Sequence, residues 1–74
     1  MNTVPLNERT TRQFKSEHPS VESIVLWGDG VVDVIYHADH EDAADARRAL
    51  EREHIIVQDE QFFGYNVLTL RRKV

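Results

Sequence analysis

The chain has 74 residues, no cysteine and a formal net charge of −4, with 41% hydrophobic and 30% charged residues. A single domain of this size buries only about 60–65% of the surface its unfolded chain exposes, which excludes an internal cofactor cavity, while the apolar share excludes full disorder. The acidic balance disfavours a life on nucleic acid or anionic membrane, the lack of cysteine removes disulfides and thiolate chemistry, and no run approaches the roughly 18 apolar residues of a membrane span.

The charge is polarised along the chain. Residues 1–20 carry +1, residues 21–37 carry −3, residues 38–54 carry −3 and residues 55–74 carry +1. An acidic middle thus lies between mildly basic ends, and Arg71, Arg72 and Lys73 form a compact basic tip.

Residues 1–20 are polar and offer only Val4, Leu6 and Phe14 as sizeable apolar groups. Nothing there resembles a signal peptide, so the expected compartment is the cytoplasm. Asn7 is a candidate cap for a short helix from Glu8 to about Glu17, which must stop before Pro19 because the residue preceding proline avoids helical dihedrals. Few anchors hold such a helix down, so the segment reads as a mobile arm. A single small α+β domain over residues 21–74 follows it.

Two β-branched runs, Glu22–Trp27 and Val31–His37, flank Gly28, Asp29 and Gly30, which is a hairpin signature. Two registers compete. A two-residue Asp29-Gly30 turn sets Trp27 opposite Val32. A three-residue loop sets Leu26 opposite Val32 and Ile24 opposite Val34, and a one-residue slip exchanges the faces. The second is favoured, because it gathers Ile24, Leu26, Val32, Val34 and Tyr36 on one face. Val25, Trp27, Val31, Asp33 and Ile35 then line the other. Either way the hairpin is apolar on both faces, and a single helix covers only one. The arm, a second copy or a partner must cover the rest.

Asp39 is the expected N-cap of a helix from His40 to about Glu53, whose stripe of Ala43, Ala46, Ala49 and Leu50 faces the sheet. Ile55, Ile56 and Val57 form a short apolar run. Gln58 to Gln61 reads as a polar turn, and Phe62 to Leu70 as the last strand. The fold class is therefore α+β: a small antiparallel sheet, β-β-α-β with room for a fourth short strand, and one helix on one face.

Chemistry has few footholds. His37, His40, Asp39 and Asp42 are of metal-ligand type, but a strand end followed by a cap points them apart, so they read as a solvated turn with no metal. Ser16, Ser20 and Ser23 sit in no nucleophile-elbow context, and Asp33 has no second catalytic group beside it. Gly28-Asp29-Gly30 joins two strands and is no phosphate loop. The expectation is a protein without catalytic residues or cofactor. Trp27, Tyr36, Phe62, Phe63 and Tyr65 with the tip Arg71, Arg72 and Lys73 suggest instead a small nucleic-acid-binding module, the second reading. A self-associating chain, monomer to weak dimer, is the third.

The segment Val31–Tyr36, the acidic alanine-rich helix after it, and Gly64–Arg72 ending on a basic tip resemble the small phage-encoded proteins that bind bacterial RNA polymerase. The resemblance spans Ile24 to Lys73 and lies in topology and composition, so no residue role is carried over from it. It implies a non-enzymatic regulator in the host cytoplasm that docks on a polymerase subunit and inhibits or redirects transcription, including antitermination. Residue by residue, the expected protein contacts are Val4, Leu6, Phe14, Trp27, Asp33 and Ile35, with Arg71, Arg72 and Lys73 as nucleic-acid or charge contacts.

Overall fold

The structure, a computed structural model, describes residues 6–73. In chain order it contains α1 (Thr11–Glu17), β1 (Val21–Gly28), β2 (Val31–His37), α2 (Ala43–Glu53), β3 (His54–Phe62) and β4 (Tyr65–Arg72). The four strands form one antiparallel sheet in the order β1-β2-β4-β3, with α2 packed on one face. The α+β architecture is as expected, and the fourth strand is a full one.

The first hairpin pairs Ile24 with Val34 and Leu26 with Val32, the favoured register. The route to it differs from a simple three-residue loop. Gly28 pairs with Val31 across Asp29 and Gly30, which have φ of 54° and 78°, the positive values of a tight two-residue hairpin turn. The pairing then slips by one between Leu26 and Gly28, so Trp27 is the extra residue of a bulge. Turn and bulge together give the register that puts valines inward.

Strand β3 corrects the expected polar turn at Gln58 to Gln61. Those residues continue the strand, pairing through to Phe62 with Tyr65, and the turn falls on Phe63 and Gly64. The polarity reflects an edge strand with a solvated side. A second slip, between Ile56 and Gln58, leaves Val57 bulged and 57% exposed.

Helix α2 begins at Ala43 with Asp42 as N-cap residue, three residues later than the expected start at His40. Asp39 is not the cap. The chain from Ala38 to Asp42 is held as turns instead, with the Ala38 amide donating to the Gly64 carbonyl and the Ala43 amide to the His40 carbonyl. The small-residue stripe packs as anticipated: Ala43, Ala46 and Leu50 are buried, and Ala46 is fully enclosed. Alanine at these positions lets the helix lie close on Val32, Val34, Leu68 and Leu70, which share the same core.

The N-terminal segment is packed on that same face, against the expectation of an undocked arm. Leu6 is 5% exposed, and Phe14 packs partly buried against the core. Helix α1 starts at Thr11 rather than Glu8, because the Asn7 side chain accepts from the Arg9 and Thr10 amides and closes a turn first. Two polar contacts hold the segment. The Leu6 amide donates to His54 Nε2 at 3.2 Å, and His18 Nδ1 lies 3.1 Å from Asp42 Oδ1. Hydrophobic spacing carries no trace of either contact. Val4 lies outside the described residues.

Candidate functional site

Alternation along the strands decides which side chains face away from the helices. In successive cross-strand rows these are Ser23, Ile35, Val67 and Glu60, then Val25, Asp33, Thr69 and Gln58. One end of the face adds His37, Tyr65 and Phe62, and the other adds Val31, Arg71 and Ile55 with the bulged Trp27. No described element lies over this face, since α1 and α2 both pack on the core side. The exposures follow: Trp27 is 65% exposed, Ile55 53%, Phe62 50%, and Val25 and Tyr65 37% each. Single exposed apolar residues are ordinary on proteins; here several share one face with Asp33, Thr69, Gln58 and Glu60 between them.

Phe63 extends the aromatic end. It is fully exposed and has φ of 45° in the turn before Gly64. Asparagine and glycine favour that backbone region, and an aromatic side chain there carries a steric cost. Phe63 is thus both strained and solvated, and nothing in the fold repays either. The His37 and Tyr65 rings meet at the same end of the sheet, tilted by 41° with centroids 4.7 Å apart, and His37 Nε2 lies 3.0 Å from Glu22 Oε2.

At the centre of the face stands Asp33. Its Oδ2 accepts from the Trp27 indole at 2.8 Å, while its Oδ1 is buried and has no hydrogen-bond partner. Ile35 neighbours it along β2. Of the expected contact residues, the structure therefore brings Trp27, Asp33 and Ile35 together on the open face. Leu6 is buried in the chain's own core and Phe14 packs partly buried against it, so neither joins the other expected contact residues on the open face. The basic tip is divided. Arg71 shares the open face with Val31 and Ile55, Arg72 alternates to the opposite side, and the Lys73 amide donates to the Glu53 carbonyl. Tyr65 and Arg71 sit at opposite ends of β4, about 20 Å apart at the usual strand rise. The aromatic cluster of Phe62, Phe63 and Tyr65 and the basic tip therefore do not form one platform.

Two polar clusters that sequence spacing did not reveal lie on the core side. Ser20, fully buried, donates through Oγ to Asp42 Oδ2 at 2.8 Å, and His18 holds the other oxygen. Burial alone pushes the Asp42 carboxyl upward, but the bonds from Ser20 and His18 outweigh it and leave the group below its ordinary value. Ser20 is wholly enclosed with its hydroxyl bonded to the Asp42 carboxylate, and the cluster ties the arm to α2. The second cluster joins Arg47, 2.8 Å from Asp59 Oδ2, to the Tyr36 hydroxyl and, through Asp59, to Asn66. It fastens α2 to β3. His37 bonds Glu22, His40 accepts from the Asp42 amide and the Asp42 carboxylate bonds Ser20 and His18, and no group of three metal-ligand side chains occurs among the described residues.

The chain matches no protein-family model, no curated protein and no solved structure. No helix among the described residues is long and apolar enough to cross a membrane.

Proposed function

We propose that this chain is a non-enzymatic regulatory protein that docks on a larger protein through the open face of its sheet. The observation that carries the reading is that face itself. Trp27, Val25, Ile35, Val67, Ile55 and Phe62 share a face that both helices leave bare, interleaved with Thr69, Gln58 and Glu60, and Phe63 stands at its end in a strained turn. Large aromatics at the rim of an apolar patch are the residue types that anchor protein interfaces. The partner that the resemblance implies is bacterial RNA polymerase, with transcription inhibited or redirected on binding.

The test is capture from bacterial lysate by the immobilised full chain, with Ile35→Glu and Phe63→Ser as controls. The wild-type chain is expected to retain polymerase subunits and to alter transcription by purified polymerase, and both variants to lose capture. Capture without any polymerase subunit overturns that partner. Equal capture of polymerase by the variants overturns the face.

The nucleic-acid reading has one favourable observation, the bulged Trp27 at the same end of the sheet as Arg71. A mobility shift with random oligonucleotides at low salt tests it, and Arg71→Ala is then expected to reduce the salt slope by about one contact.

A further inference from the structure

Asp33 is a charge placed mid-strand among valines, at the centre of the apolar face. No ion pair reaches it among the described residues. Its only side-chain hydrogen bond among the described residues comes from a neutral indole, and its second oxygen is buried and unsatisfied. An acceptor left in that condition costs stability, and a donor supplied from outside recovers it. Around it the face carries Glu60, and Glu22 bonded to His37, while Arg71 stands at the far end of β4, one row beyond Thr69. Trp27 stands beside the carboxylate, 65% exposed and on a bulge, with its ring face open to solvent next to Asp33.

We propose that the protein partner inserts an arginine at Asp33, its guanidinium bonded to the carboxylate and stacked on the Trp27 indole, with apolar side chains around it. A planar fork of donors matches a carboxylate and an aromatic face at once, which an ammonium does less well. Asp33 then acts as the specificity residue of the face: it rejects an apolar or acidic surface that would leave it unpaired. The inference rests on the docking reading and adds the partner's chemistry to it.

The probe is N-acetyl-arginine N-methylamide, titrated to high millimolar concentration into the full isotope-labelled chain, with the neutral citrulline analogue in parallel. The expected result is a saturable shift of the Trp27 indole N–H and of the Asp33 and Thr69 amides. The citrulline compound is expected to give none, and Asp33→Asn to weaken binding about fivefold. Asparagine keeps an acceptor for the indole, and an otherwise unchanged spectrum verifies the fold. Equal shifts with citrulline, an unchanged affinity in Asp33→Asn, or no saturable shift overturns the proposal. Sedimentation reads the rival occupant: a dimer that needs Asp33 assigns the cation to Arg71 of a second copy, and it too overturns the foreign partner. Failure of this inference is separable from failure of the docking reading, because the small probe reads Asp33 alone while capture by Ile35→Glu reads the face.

Discussion

His54 is buried with both ring nitrogens engaged. Its Nδ1 lies 2.9 Å from the Leu50 carbonyl, which can only accept, so Nδ1 carries the proton and Nε2 is left to accept from the Leu6 amide. The bonding pattern requires the neutral imidazole. Burial lowers its pKa from the ordinary 6.5, and Arg72 and Lys73 act in the same direction, while the Leu50 carbonyl and Glu53 oppose them. The unfolded chain therefore takes up this proton before the folded one does. The stabilisation is complete above about pH 6.5 and is lost as pH falls from there through the folded value. We predict that urea midpoints of the wild-type chain fall over that window more steeply than those of His54→Gln. The difference between the two chains isolates His54 from His18, His37 and His40. Parallel curves would show that His54 does not link the arm to pH. Phe63 yields a prediction of opposite sign. Replacing it with asparagine relieves the left-handed strain and removes an exposed ring, so Phe63→Asn is expected to raise stability by about 0.5–1 kcal/mol in denaturant melts. The same variant is expected to lose partner capture. Stability gained together with binding lost would mark Phe63 as kept for contact.

The hairpin of β1 and β2 was legible from its turn residues, and its register from the gain of putting Ile24, Val32 and Val34 inward; the bulge at Trp27, which reconciles that register with a two-residue turn, was not. Gly30 closes that turn. At φ of 78° it needs the conformation glycine adopts freely, and an added Cβ would sit 3.8 Å from the Arg72 Cβ, an ordinary contact. The cost of Gly30→Val is therefore torsional, about 1–2 kcal/mol, and should appear in thermal melts without loss of sheet content. A larger loss, with the spectrum of the sheet changed, would mean that the register itself had slipped. The stripe of α2 was legible for a similar reason, since Ala43, Ala46 and Leu50 recur at helical spacing. What escaped was set by contacts distant in sequence. The helix starts late because the turns from His37 to Ala43 and the Gly64 carbonyl claim the preceding backbone. Gln58 to Gln61 form a strand because β4 pairs them, although no local propensity favours it. The arm docks because His54 and Asp42, 48 and 24 residues from their partners, supply polar contacts that no periodicity encodes.

At the scale of the molecule, both helices and the N-terminal segment crowd onto one side of the sheet, and β2 is the strand that feels the asymmetry. Val34 points into the core and is wholly buried, while Ile35, one residue on, points to the open face. A hydroxyl introduced at the two positions should therefore have different consequences. Val34→Thr places a hydroxyl among Leu50, Leu68 and Leu70 with no partner, at a cost of about 1–3 kcal/mol. Ile35→Thr puts the hydroxyl where water reaches the sheet, and should cost about 0.5 kcal/mol or less in the isolated chain. Binding should reverse the order. In complex with a partner, Ile35→Thr loses burial beyond what the free chain has, whereas Val34→Thr changes affinity only as far as it unfolds the domain. Urea melts of the two variants, set beside their capture efficiencies, test this directly. If Ile35→Thr proved as destabilising as Val34→Thr in the isolated chain, some part of the chain would already cover the second face, and docking would lose its surface.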